Sequence, residues 1–295
     1  MNNRDLCFLL LTGFLGDPDR DPLTVPQFRE LTRRVRTMEQ PVEERDLTKE
    51  DLLKIGCGDA FAERVLRLLS HEEQALWYLQ KGEKCGCYPI LRTVEHYPAR
   101  LRNSLGLDAP ACLWAKGDIK LLEGAKLALV GSRDLEPGNL QFAREVGKQA
   151  ALQGYTLVSG NARGADRAAQ DSCLACGGRV ISIVADELYK QPADPNVLYL
   201  SEIGFDLPFS SPRALSRNRL IHGMVEKTFV AQCTFCKGGT WSGTTQNLEK
   251  GWSPVFCYDD GTETMQELEQ RGGSLIQIED LAEISLLESN SMTLF

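Results

Sequence analysis

Histidine is scarce in this chain of 295 residues: there are three, His71, His96 and His222, and none stands in a nucleophile motif. The Gly-x-Ser-x-Gly elbow and the Walker A loop are both absent. Their absence removes the commonest signatures of acyl transfer and of P-loop nucleotide hydrolysis. No apolar run is long enough to cross a bilayer; Leu6 to Leu15 falls well short of the ~20 residues a helical span requires. It also lacks a basic leader, since Arg4 is followed at once by Asp5. No signal peptide is expected, and the expected location is cytoplasmic with no membrane association. Ten cysteines without a secretory leader then point to reduced thiols rather than a disulfide framework.

An excess of positive charge is lacking too, the formal net charge being -8. Its distribution matters more than its total. Residues 236–295 hold three Lys and Arg against ten Asp and Glu, whereas residues 126–235 hold twelve against eleven. Between Asp206 and Glu226 there is no acid at all, and Arg213, Arg217 and Arg219 fall within that gap. Screening confines such fields to about 8–10 Å, so a local anion site on an acidic protein is physically reasonable.

What the chain does have is a repeated pattern between Lys126 and Asp166. Leu127 to Val130 reads as a buried strand ending in Gly131-Ser132-Arg133, followed by a helix over 139–153. Tyr155 to Val158 reads as a second strand, with Ser159-Gly160-Asn161-Ala162-Arg163-Gly164 opening a second helix. A strand, a glycine turn and a helix aim backbone N–H groups and the positive end of a helix dipole at one spot. Two such units side by side, each with an arginine, predict a phosphate site at the carboxyl edge of a parallel sheet. The alternative for Arg133 and Arg163 is a pair of surface arginines bridged to Asp134 or Asp166.

The alternation continues. Strands are predicted over 179–184, 197–201, 227–232, 254–258 and 274–278, and helices over 164–176, 212–226, 243–251 and 262–271. This is the signature of βαβ units and a mostly parallel sheet. Residues 1–80 are predicted to form a small helical domain, SAM- or HhH-like, with helices over 5–15, 25–38, 48–53 and 59–69. Its Ile55-Gly56-Cys57-Gly58 turn has two readings, a backbone cradle for a DNA phosphate or the bend of a small packing bundle. Residues 81–125, rich in Gly, Cys and Pro, are expected to be a connector of strands and turns. The sheet domain is placed at 126–287 and a tail at 288–295, with no further domain.

Three other stretches carry possible chemistry. Arg217-Asn218-Arg219 lies on a predicted helix, and its two arginines fan to different faces, one toward the sheet edge and one away. Lys237-Gly238-Gly239-Thr240-Trp241 follows a strand and is expected to form a third glycine turn at the same edge. In it Trp241 is either a base-stacking face or a core plug. Cys173-x-x-Cys176 and Cys233-x-x-Cys236 could supply four thiolates to zinc but belong to different units, so buried thiols are the default and neither metal nor cofactor is expected. No residue set suggests a catalytic centre.

Taken together, VGSR, VSGNARGAD, the SRNRLI helix and the glycine loop after the next strand resemble the DNA-processing protein A (DprA/Smf) family. Tyr97-Pro98-Ala99-Arg100-Leu101 and Pro110 to Gly117 are similar to signatures that precede that family's sheet domain. The resemblance covers roughly residues 85–285. It implies an extended Rossmann-like, doubly wound α/β domain that binds single-stranded DNA, assists loading of the RecA recombinase and forms a homodimer. It further implies a non-enzymatic role in DNA uptake and recombination. The DNA-binding positions it implies are Gly131, Ser132, Arg133, Ser159, Gly160, Arg163, Arg217, Asn218, Arg219, Lys237, Gly238, Gly239 and Thr240. The chain departs from the pattern in reading GGTWSGTT where the family has approximately SGSLITA, and Gln232-Cys233 where it often has Glu-Ala. The C-terminal winged helix of many members is expected to be absent. A rival reading, a nucleotide-binding or nucleotide-hydrolysing protein of the LOG type, would place Glu249 at an N-glycosidic bond.

Overall fold

The computed structural model describes residues 1–38 and 46–289, so most of the expected tail lies outside it. Five helices come first: α1 (Asn3–Thr12), α2 (Val25–Val35), α3 (Lys49–Lys54), α4 (Asp59–Leu69) and α5 (Glu72–Lys84). Local chemistry sets their ends. The Asn2 side chain accepts from the Asp5 N–H at the start of α1, and capping boxes open α2 (Thr24 with Gln27) and α3 (Thr48 with Asp51). Leu11, Leu31, Leu52, Val65 and Leu68 close a small core of their own. In the α3–α4 bend Arg34 donates to the Gly56 carbonyl 22 residues away, which is the behaviour of a packed bundle. Helix α5 went unanticipated, although acids in its first turn and lysines in its last favour a helix.

The expected connector is knitted into the sheet. It contributes β1 (Cys87–Leu91), α6 (Ala99–Leu105) and β2 (Cys112–Lys116). The expectation of strands and turns alone fails at α6, where Pro98 caps a helix instead of closing a turn. Then follow β3 (Lys126–Val130), α7 (Pro137–Leu152), β4 (Thr156–Ser159), α8 (Ala165–Ala175), β5 (Arg179–Ile183) and β6 (Val197–Ser201). The chain ends with α9 (Ser211–Gly223), β7 (Lys227–Val230), α10 (Gly238–Lys250), β8 (Val255–Tyr258), α11 (Glu263–Gln270) and β9 (Ser274–Ile276). The order across the nine-stranded sheet is β1-β2-β6-β5-β4-β3-β7-β8-β9. Strands β3 to β9 pair in parallel, while β1 with β2 and β2 with β6 are antiparallel.

Alternation along the strands separates two cores. Leu127 and Leu129 face one side with Phe142, Val146 and Ala169, and Ala128 and Val130 face the other with Leu220, Ile221 and Trp241. The architecture is therefore doubly wound and mostly parallel, as expected. Strand β3 sits at the reversal of strand order: the chain proceeds outward through β4, β5 and β6, then returns to lay β7 on the other flank of β3. The crevice in which open α/β sheets hold ligands must lie beyond the carboxyl ends of β3 and β7.

Helices α7 and α8 cover one face in close contact at Gly147, where an added methyl would run into the Ala169 carbonyl. Gly147→Ala is therefore expected to destabilise the protein by about 1–3 kcal/mol through overpacking, read as a lower urea midpoint at unchanged slope. An unaltered midpoint would contradict this helix contact.

Candidate functional site

Beyond the ends of β3 and β7 lies a cleft of about 680 Å³. Its walls are the Gly131–Arg133 turn, one face of α9, and the segment 234–242 entering α10. A second compartment of about 400 Å³ adjoins it between Gly160–Arg163 and Ala185–Asp186. Arg133, Ala162, Phe209, Ala214 and Arg217 line both.

Each turn is built differently. In the first, the N–H and hydroxyl of Ser132 both donate to the Gln232 carbonyl, at 2.9 and 3.2 Å. Ser132 thus locks β3 to β7 and offers neither group outward. Helix α7 begins at Pro137, two residues before the expected 139, so residues 134–136 separate this turn from the helix. Arg133 is exposed on the cleft wall and has no hydrogen-bond or ion-pair partner among the described residues.

The second turn is sealed from within. The carboxylate of Asp166 accepts from the N–H groups of Gly160 (3.1 Å) and Ala162 (3.2 Å), filling the backbone cradle that a phosphate would otherwise enter. Burial pushes the Asp166 carboxyl above the usual carboxylate range; the Arg217 guanidinium and those two N–H groups pull it back. Ser159 is fully buried and receives the Gln170 amide, so it supports the turn from below. Gly164 has φ +90° and approaches the Ser132 and Arg133 carbonyls too closely for a side chain, which ties the second turn to the first. Arg163 stands outside, 77% exposed, 2.9 Å from Asp134. This is the bridged alternative that the sequence left open, and at such exposure the pair holds Arg163 only weakly.

Arg217 and Arg219 do fan apart. Arg217 turns inward, where its Nη1 donates to the carbonyls of Gly160 and Ile183 at the ends of β4 and β5. Its Nε is buried without a partner, and its guanidinium forms the floor shared by the two compartments. Arg219 lies on the other face of α9, paired with Glu202, outside the cleft. Asn218 donates to the Gly239 carbonyl at 3.0 Å, holding α9 to the start of α10. These three residues therefore shape the cleft, and only Arg217 presents positive charge to it.

The third turn corrects the sequence reading most. Gly238, Gly239 and Thr240 are not a loop before a helix over 243–251; they are the first turn of α10, with Lys237 at its N-cap. The Thr240 hydroxyl spans to the Gly131 carbonyl at 2.9 Å and fastens this end against the first turn. No side chain among the described residues caps the N-terminus of α10, so its first N–H groups and the positive end of its dipole face the cleft beside Lys237. Trp241 is the core plug of the two alternatives: it is buried against Phe235 (5.0 Å between ring centroids, edge-on) and Arg271.

Glu249 is exposed near the far end of α10, eleven residues beyond Gly238 and so roughly 16 Å along the axis. It does not line the cleft, which removes the residue on which the nucleotide-hydrolase reading depended. The two Cys pairs lie in separate units, and burial pushes the thiols of Cys173 and Cys233 up to about 12. Two residues escaped the sequence reading. Phe209, 52% exposed, lines both compartments; its signal was its place just before Arg213 in the acid-free gap. His222 lines the cleft but is buried, in hydrogen-bond contact with Thr228 (3.3 Å).

Comparison with known proteins follows the same lines. Residues 89–289 match the family model described as DNA recombination-mediator protein A. The chain is 30% identical over 254 residues to DNA processing protein DprA of Bacillus subtilis, covering 82% of this chain and 76% of that one. It is similar in fold to the crystal structure of DprA from Streptococcus pneumoniae, with a TM-score of 0.71 at 24% identity over 98% of this chain and 99% of that one. It also resembles the structure of DNA processing protein A from Helicobacter pylori, a protein described for its single-stranded DNA binding mode. There the TM-score is 0.56 at 25% identity, over 65% of this chain and 94% of that one.

The buried His222 makes the cleft acid-sensitive. Burial pushes its pKa down to about 3, against about 6.5 for an unfolded histidine. The unfolded chain therefore takes up a proton below pH 6.5 that the folded chain refuses. This contribution is complete above that pH and is lost progressively as pH falls toward 3, at about 1.4 kcal/mol per unit. His222→Gln is expected to flatten the acid limb of stability between pH 6 and 4, measured by urea unfolding against wild type; parallel limbs would contradict a neutral buried imidazole.

Proposed function

The chain belongs to the DNA recombination-mediator protein A family, and from that premise we propose that it binds single-stranded DNA in the cleft at the end of β3 and β7. The observation that carries this reading is the positive field there: Arg133, without a hydrogen-bond or ion-pair partner among the described residues, beside the uncapped N-terminus of α10 and Lys237. Phosphate oxygens are the chemistry such donors fit. Phe209 stands exposed where the two compartments meet, and an aromatic face beside a cationic groove suits stacking of unpaired bases irrespective of sequence. Duplex DNA, with its bases already stacked, cannot use that face. Carrying over the family's role, the bound strand is protected and handed to the RecA recombinase by a homodimer of this chain in the cytosol, without covalent chemistry.

The roles divide by commitment. Arg133, Lys237 and the N–H groups of Gly238, Gly239 and Thr240 would contact phosphates, with Arg163 at the rim. Gly131, Ser132, Ser159, Gly160 and Asn218 would act by holding the cleft's shape, and Arg217 by doing so while lending its charge.

Fluorescence anisotropy of labelled oligo-dT, mixed-sequence single strands and duplex tests this. Arg133→Ala is expected to weaken single-strand binding about tenfold, equally across sequences, and to lower the salt dependence by about one phosphate contact. Arg163→Ala should weaken it less, since that arginine is shared with Asp134. Arg133→Ala binding like wild type at low salt, or duplex binding as tightly as single strands, would contradict the site.

A further inference from the structure

We propose that the face of α2 carrying Arg29, Arg33 and Arg36 is a second nucleic-acid contact, taking the phosphate backbone of a strand too long for the cleft. This rests on the single-stranded DNA reading above. The three arginines recur at i, i+4 and i+7 and so share one face of the helix. They line a groove of about 610 Å³ between α2 and the turn at 106–108, with Phe28 and Leu107 as its apolar lining.

Commitment again separates the cations. Arg34 is occupied by Glu30 and the Gly56 carbonyl, and Arg33 by Glu30. Arg29 and Arg36 are exposed and have no partner among the described residues. Behind the groove Arg92 is held by the Ala109 and Gly106 carbonyls, close enough to Arg29 for their charges to repel. On a chain of net charge -8, Arg29 and Arg36 are thus unpaired among the described residues, the carboxylate that lines the groove, Glu30, being taken by Arg33 and Arg34.

The groove does not stand alone. It shares Pro26 and Leu107 with a furrow of about 730 Å³ that runs to Arg219, Lys250 and Trp252 on and after α9 and α10. Those two helices also wall the cleft, through Asn218 and Trp241 among others. A flexible strand leaving the cleft thus has a concave path around the helix pair to the free arginines. A membrane surface fits less well: the site is a groove, and the apolar side of α2 is spent on the helical core through Leu31.

The test uses the full-length protein and a length series of labelled oligo-dT. Arg29→Ala/Arg36→Ala is expected to bind a six-nucleotide strand as wild type does. It should bind a thirty-nucleotide strand about tenfold more weakly, with a salt slope smaller by ~1.4, the value for two single-strand phosphate contacts. Arg29→Lys/Arg36→Lys should retain most of the long-strand affinity, since a phosphate contact needs charge more than a planar fork. Equal long-strand binding by the alanine variant and wild type would overturn the proposal while leaving the cleft intact. So would loss confined to vesicles containing phosphatidylglycerol, which would assign the face to a membrane. Failure of wild type to bind either strand would refute the cleft reading itself.

Discussion

One guanidinium determines the shape of the carboxyl edge of this sheet. Arg217 reaches from α9 under the second turn and donates to the carbonyls of Gly160, just after β4, and Ile183, the last residue of β5. Facing it is the buried Asp166, whose carboxylate satisfies the N–H groups of the same turn. The turn is therefore closed from both sides by the chain's own charges. With Arg217 removed, two buried carbonyls would lose their donor and the buried carboxylate the nearby positive charge that steadies it, a situation that costs far more than a surface contact.

This internal closure decides where an external anion can go. Pattern alone suggests two equivalent phosphate sites, after β3 and after β4. The second is already filled by Asp166, and the Ser132 donors of the first are spent on Gln232. What remains open is the end of α10, fastened in place by Thr240 and Asn218 and left uncapped, together with Arg133 on the opposite wall. The protein's acidic character is compatible with this arrangement because Arg133 and Lys237 have no ion-pair partner among the described residues, and the carboxylate in the cleft, Asp166, is spent on the second turn.

Much of this was legible in the sequence, and the failures have physical causes. Alternation of strand and helix from 126 onward gave the doubly wound sheet, because strands buried on both faces leave unmistakable apolar runs. The motifs also gather at one edge, beyond the carboxyl ends of β3, β4 and β7. Their internal bonding was not legible: nothing in SGNARGAD says that its aspartate folds back onto the glycine N–H. Nor does RNR reveal that its first arginine points in, its amide bridges helices and its last pairs with Glu202. Glycines at 238 and 239 suggested a loop, yet the chain forms helix there because Gly239 and Gly243 let α9 approach to contact at Asn218. Helix α6 hid behind a proline that caps rather than breaks. Phe209 had no signal beyond its place before Arg213 in the acid-free gap, because an isolated aromatic has no pattern.

The central claim is that an unpaired strand lies in the cleft between β3 and β7, over Arg217 and against Phe209. Photocrosslinking of oligonucleotides carrying 5-iodouracil, with peptide mass spectrometry of the adducts, tests it most directly. The account predicts adducts on the peptide containing Phe209, competed away by unlabelled single strands but not by duplex. Adducts confined to the acidic segment from Val255 onward, with none on the cleft peptides, would contradict it.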